Sequence, residues 1–182
     1  GMLMLAEPIY QCFNYICNLR DLRPTLIYMS PKGKVFNQDI AKELVFRDNI
    51  AILCGHYEGV DQRVIDEIVD MQISIGDYVL TGGELPALVC ADAICRMLPG
   101  VLSDDLCFTE ESHFSSLLEY PQYTRPAVWQ DREIPAVLLS GNHAEIAKWR
   151  REKAIEITAK RRPDMLKEAN LTKKELEKIK DI

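Results

Sequence analysis

The sequence predicts an α/β protein built on a parallel sheet, followed by a small helical module. Three observations carry this prediction. Short apolar runs alternate with helical patterns three times between residues 25 and 100, the order that a parallel sheet with helices on its faces requires. Each run leads into a Gly- or Pro-bearing loop: Ser30-Pro31-Lys32-Gly33, Gly55-His56-Tyr57-Glu58-Gly59 and Thr81-Gly82-Gly83. Beyond residue 141, capping-box patterns and basic helical segments replace the strands.

Pro8 to Leu19 carries apolar residues at Ile9, Cys12, Phe13, Ile16 and Cys17, a helical stripe with Pro8 in the first turn. Thr25 to Ser30 is a continuous apolar run, read as a strand running into the Pro31–Gly33 turn. Asn37 to Arg47 is an amphipathic helix with Asn37 as N-cap, and Asn49 to Cys54 is a second buried strand. Val60 to Val69 is a helix turning Ile65 and Ile68 inward. Ile73 to Gly100 then reads as a half-polar strand, the double-glycine turn, and an apolar helix opened by Glu84 and stopped by Pro99-Gly100. Parallel strands bring all three loops to their shared carboxyl edge, where α/β proteins bind ligands. One such loop is turn punctuation; three on one edge predict a ligand site.

Val101 to Ser116 loses periodicity and reads as a mobile linker. Leu117 to Pro126 is an aromatic, proline-bearing loop, and Ala136 to Leu139 is a short apolar segment. Asn142 and Glu145 form a capping box for a helix reaching about Arg162, with apolar positions at Ile146, Trp149, Ile155 and Ile157. Thr172 and Glu175 form another for the last helix.

A chain of 182 residues buries a core of one or two domains. No apolar run approaches the roughly 18 residues of a membrane span, and the opening six residues are too short for a signal peptide. Cys12, Cys17, Cys54, Cys90, Cys95 and Cys107 show no C-x-x-C spacing and lie mostly in apolar runs, as reduced cytoplasmic thiols do. The three histidines share no ligand spacing with other residues, so no metal site is expected. Net charge is −6, but residues 1–143 hold 10 Lys+Arg against 20 Asp+Glu, and residues 144–182 hold 12 against 8. A basic tail on an acidic body points to a localised anionic partner. Lys148, Arg150, Arg151, Lys160, Arg161 and Arg162 are its candidate phosphate contacts, against the alternative of a solvated helix face. Glu58 either accepts from a ribose hydroxyl or is a loop acid in water. Arg96 is either an i,i+4 partner of Asp92 or a cation brought to the ligand rim. Glu110-Glu111 reads as linker charge on physics alone.

The segments YMSPKGKVF, ILCGHYEGVDQRVID, ISIGDYVLTGGELPAL, RMLPGVL, LLEYPQYTRP and LLSGNHAEIAKWRRE together resemble the bacterial tRNA (guanine-N1)-methyltransferase family, in order and over essentially the whole chain. The resemblance implies a SPOUT-type parallel sheet whose C-terminal part is threaded into a trefoil knot, with the family's first strand and helix lying ahead of residue 1. It implies a homodimer with shared active sites and methyl transfer from S-adenosylmethionine to N1 of guanosine 37 of tRNA, in the cytoplasm. Residues 1–102 would form the donor domain, 103–116 a flexible linker, and 117–182 the tRNA-binding domain. Residue by residue, the donor pocket matches Tyr28, Ser30, Pro31 and Gly33; Gly55, Tyr57 and Glu58; and Ser74, Ile75, Gly76, Tyr78, Leu80, Gly82, Gly83 and Pro86. Arg96 matches the arginine that meets the guanine O6. Glu111 stands where the family has its general-base aspartate, one methylene longer. Two other readings fit the residues: a catalytically weak relative that binds donor or RNA, and a nucleotide-binding module without chemistry.

Overall fold

The computed structural model describes residues 2–20, 22–103 and 111–179. The chain forms two compact units, Gly1–Ser103 and Asp104–Ile182. Of the expected linker, residues 104–110, which include Cys107 and Glu110, lie outside the described residues.

In the first unit, β1 (Thr25–Val35) is the middle strand between β2 (Ile50–Cys54) and β3 (Met71–Ser74), and both pairings are parallel. Helix α1 (Ala6–Arg20) and helix α3 (Gln62–Ile68) cover one face of this sheet. Ile9, Phe13 and Cys17 of α1 recur at four-residue spacing and pack with Val64, Ile65 and Ile68 of α3 against Leu26 and Tyr28. Strand alternation turns Ile27 and Met29 to the opposite face. There α2 (Gln38–Val45) and α4 (Glu84–Cys95) pack on one another, burying Ile40, Ala41, Leu44, Cys90 and Ile94. Burial pushes the Cys90 thiol up to about 11, so it behaves as a small hydrophobe. Asn37 caps α2 by accepting from the Ile40 N–H at 3.0 Å, as its sequence predicts. Asp61 caps α3 through the Arg63 N–H at 2.9 Å.

Two expected boundaries are corrected. Ser30-Pro31-Lys32-Gly33 is not a turn after a finished strand. β1 continues to Val35, and its register against β3 slips between Met29 and Lys34, so that both residues face Ile73. The four residues bulge out of the ladder, which suits Pro31, since it has no N–H to contribute. β3 ends at Ser74, so the half-polar strand expected to lead from Ile73 into the double-glycine turn stops after two residues, and Ile75 onward is loop. This loop crosses the carboxyl edge from β3 to β2, where the Gly83 N–H donates to the Gly55 carbonyl at 3.0 Å.

In the second unit, β4 (Val128–Trp129) and β5 (Arg132–Glu133) form a hairpin whose turn residues, Gln130 and Asp131, both have positive φ. A single helical turn follows, α5 (Ala136–Leu139), and then α6 (His143–Arg161), capped by Asn142 accepting from the Glu145 N–H. The 3₁₀ turn Pro163–Lys167 and α7 (Lys173–Ile179) complete the unit. The Thr172–Glu175 capping box is present: the Thr172 N–H donates to Glu175 Oε2 at 2.7 Å. Leu117, Ala154 and Ile155 are buried with Leu166, Leu171 and Ile179 around them.

Thr158 joins helix to loop in a way no sequence pattern announces. It is fully buried, donates to the Ala154 carbonyl at 2.7 Å and accepts from the Leu118 N–H at 2.8 Å. Thr158→Val keeps the shape and strands the Leu118 donor, so this unit should lose about 1–3 kcal/mol, read by urea unfolding.

Arg151 of α6 donates to Glu175 Oε1 at 2.9 Å and to the Asn170 carbonyl at 2.7 Å. The Arg151 hydrogen bond, with help from the Thr172 N–H and hydroxyl, holds the Glu175 carboxyl down at about 2. Its folded value lies below the ordinary 4.5, so this contribution to stability is present above about pH 4.5 and is lost as pH falls toward 2. Acid titration followed by helical circular dichroism should show that loss, and Glu175→Gln should remove its pH dependence.

Candidate functional site

A cleft of about 390 Å³ lies where the three loops meet at the carboxyl edge of the sheet. The bulge of β1 contributes Ser30 and Pro31, with Tyr28 beneath them; the loop after β2 contributes Gly55, Tyr57 and Glu58. The segment after β3 contributes Ser74, Ile75, Tyr78, Leu80, Gly82 and Gly83, and Pro86 follows from the first turn of α4. Thus thirteen of the fifteen residues expected at a donor pocket line one cavity.

Gly33 and Gly76 do not line it. Gly33 lies directly on the backbone of Gln72 and Ile73, where any Cβ would overlap main-chain atoms. Its requirement is for close approach of β1 to β3. Gly76 sits at φ 149° behind the Tyr78 ring. Ser74 Oγ donates to the Gly76 carbonyl at 2.9 Å, so both residues shape the third loop.

The cleft wall has a composition suited to a nucleoside. Ile75, Leu80, Pro86 and the tyrosine rings supply apolar surface, and Glu58 supplies a carboxylate. Burial raises the Tyr28 hydroxyl's pKa, keeping it neutral, and Cys54 is raised by burial and by the nearby Glu84 carboxylate. Neither is a nucleophile near neutral pH.

Residues that sequence reading leaves out also line the wall, among them Leu3, Lys32, His56 and Gln62. Position inside the loops already marks Lys32 and His56. Leu3 has no local signal. Met4 forms an isolated parallel bridge with Val60, the Glu58 N–H donates to the Met2 carbonyl at 3.1 Å, and the Met4 N–H to that of Gly59 at 2.9 Å. Residues 2–4 therefore strap the second loop from below.

Arg96 is not part of this wall. It is the C-cap of α4, about 15 Å along the helix axis from Pro86.

Glu111 lies in the second unit, in a separate cleft of about 560 Å³ with Tyr120, His143, Arg150 and Arg151. Residues 111–116 are a hydrogen-bonded turn: Ser112 Oγ accepts from the Glu119 N–H at 2.9 Å, and the His113 N–H donates to the Leu117 carbonyl at 2.9 Å. The six candidate phosphate contacts divide into two sets. Arg151, Lys160 and Arg162 form ion pairs with Glu175, Glu156 and Asp164. Lys148 and Arg161 are exposed and form no ion pair among the described residues, and the Arg150 guanidinium stacks 4.8 Å above the Tyr120 ring. Among the described residues no His, Cys, Asp and Glu cluster could hold a metal, and no helix is long and apolar enough to cross a membrane.

The family profile described as tRNA (Guanine-1)-methyltransferase TrmD matches residues 1–168. A tRNA (guanine-N(1)-)-methyltransferase of Alkaliphilus oremlandii is 55% identical, over 99% of this chain and 76% of its own length. Its namesake in Clostridioides difficile is 53% identical, over 93% and 74%. That of Caldanaerobacter subterraneus is 51% identical, over 96% and 71%. With a profile covering nearly its whole length and relatives at this identity, the chain belongs to the tRNA (guanine-1)-methyltransferase family.

Proposed function

We propose that this protein transfers a methyl group from S-adenosylmethionine to N1 of guanosine 37 in tRNA, as a cytoplasmic homodimer. The observation that carries the reading is the convergence of the three loops on one cleft, in a chain of this family. When bound, the donor supplies a methyl group on a sulfonium, already activated for transfer. The chain must then hold donor and base together, remove the N1 proton and neutralise the charge left on the ring. Apolar side chains of the third loop flank the adenine, and Glu58 takes a polar edge of the donor. Glu111 takes the N1 proton, a contribution of typically about 10²–10⁴ in rate. Arg96 meets the negative charge that develops on O6.

The dimer is supported by the position of Arg96 and by the outer face of α4. Leu85, Leu88 and Val89 are at least half exposed on that helix, an unusual surface for a lone chain in water. A second copy that covers this face can bring its Arg96 toward the first copy's cleft. Residues 1–102 act as the donor domain, 103–116 as the connection and 117–182 as the tRNA-binding domain. In the last, Lys148, Arg150 and Arg161 are the phosphate contacts best placed to act, since their three companions already hold carboxylates. The crossing of the third loop from β3 to β2 is compatible with the trefoil knot of the SPOUT class.

Methyl incorporation from labelled donor into tRNA carrying guanosine 37, but not into the same tRNA with adenosine 37, is the expected result. Equal incorporation into both would overturn the assignment of the target base.

A further inference from the structure

The second and third loops meet at one side chain that the proposed reaction does not use. His56 follows the last residue of β2 by two positions and lines the cleft. Its ring Nε2 lies 3.5 Å from Oε1 of Glu84, the first residue of α4. Its backbone N–H donates to the Met4 sulfur at 3.3 Å, and its carbonyl accepts from the Gly59 N–H at 3.1 Å. The Tyr57 ring stands 5.4 Å away, tilted across it. Gly82 leaves the room this requires: a Cβ there would overlap the Glu84 carboxylate and stand 3.0 Å from His56 Nε2.

We propose that His56 is a positioning residue for the methyl donor, holding the second loop to the α4 N-terminus through Glu84 while the 2–4 strap holds that loop from below. The Gly83–Gly55 backbone bond sets where the two loops touch. The His56–Glu84 contact sets how far apart their outer rims stand, and so the width of the cleft. The inference rests on the reading of this cleft as the donor site. His56 and Glu84 touch neither reacting atom; they act through the placement of Glu58 and of the third loop.

Both side chains are about half exposed, so the coupling is that of a surface pair. His56→Gln and Glu84→Gln should each weaken S-adenosylhomocysteine binding in calorimetry about two- to fivefold. The double variant should be no weaker than either single one, because one interaction is lost in all three. The KM for donor should rise by the same factor, with kcat and the KM for tRNA unchanged. His56→Lys, which places an ammonium opposite the Glu84 carboxylate, should return binding to within about twofold of the parent. Additive losses in the double variant, a fall in kcat at constant donor KM, or parental affinity in both single variants would overturn the proposal. Calorimetry with the product needs no methyl transfer. Weakened binding in the variants of a protein that methylates no tRNA would thus leave the positioning role of His56 standing and reject the activity alone.

Discussion

Gly83→Ala should weaken donor binding at least about tenfold while the sheet itself stays folded. A Cβ at this position would stand 2.7 Å from the Cys54 Cα and 3.0 Å from the Gly55 N. Both are main-chain atoms, so no side chain can swing away, and overpacking of this kind costs typically about 1–3 kcal/mol. The third loop must lift off the second, opening the cleft between them and breaking the Gly83–Gly55 hydrogen bond. Gly82 differs, because there the Cβ would meet the far end of Glu84, which can move. Thermal melting with and without S-adenosylhomocysteine checks this, since ligand stabilisation depends on the ratio of concentration to Kd. The parent should show a clear upward shift and Gly83→Ala almost none. An equal shift in both would mean that the two loops do not form the donor site.

The second large effect is expected at Arg96. Arg96→Ala should lower methyl transfer about 10²–10³-fold, the usual consequence of removing a group that stabilises transition-state charge. Donor affinity should be unchanged, because Arg96 caps the end of α4 away from the cleft. If a partner's Arg96 completes each site, mixing Arg96→Ala chains with Gly83→Ala chains should restore activity. Half of the resulting dimers would be mixed and each would carry one intact site, giving about one quarter of the parental rate. Two impaired proteins that recover no activity after exchange of subunits, assayed at a donor concentration near the parental Kd, would place Arg96 and the cleft in the same chain's site, against the shared arrangement.

The parts of this protein legible in its sequence are those fixed by local rules. Asn37, Asn142 and the Thr172–Glu175 pair announce their helices because a cap is a hydrogen bond between near neighbours in the chain. The sheet's direction followed from three strand–helix alternations, and with it the shared edge that gathers the loops. The bulge of β1 was hidden because Pro31 and Gly33 give the same local signal in a turn and in a strand. What separates the two is the backbone of β3, some forty residues away. Leu3 was hidden for the same reason, since its place in the cleft depends on bridges to residues 58–61. Thr158 looked like one more polar residue on a basic helix, yet its hydroxyl holds the chain at Leu118. Three of the six candidate phosphate contacts hold carboxylates of their own unit, which charge counting along the sequence does not reveal.

Primer extension on a tRNA incubated with the protein and S-adenosylmethionine tests the central claim most directly. Methylation at N1 blocks base pairing, so reverse transcription should stop at guanosine 37 only when donor is present, and much less with Gly83→Ala at a donor concentration near the parental Kd. Full read-through of position 37 on tRNA treated with a protein that binds the donor product in calorimetry would contradict the account.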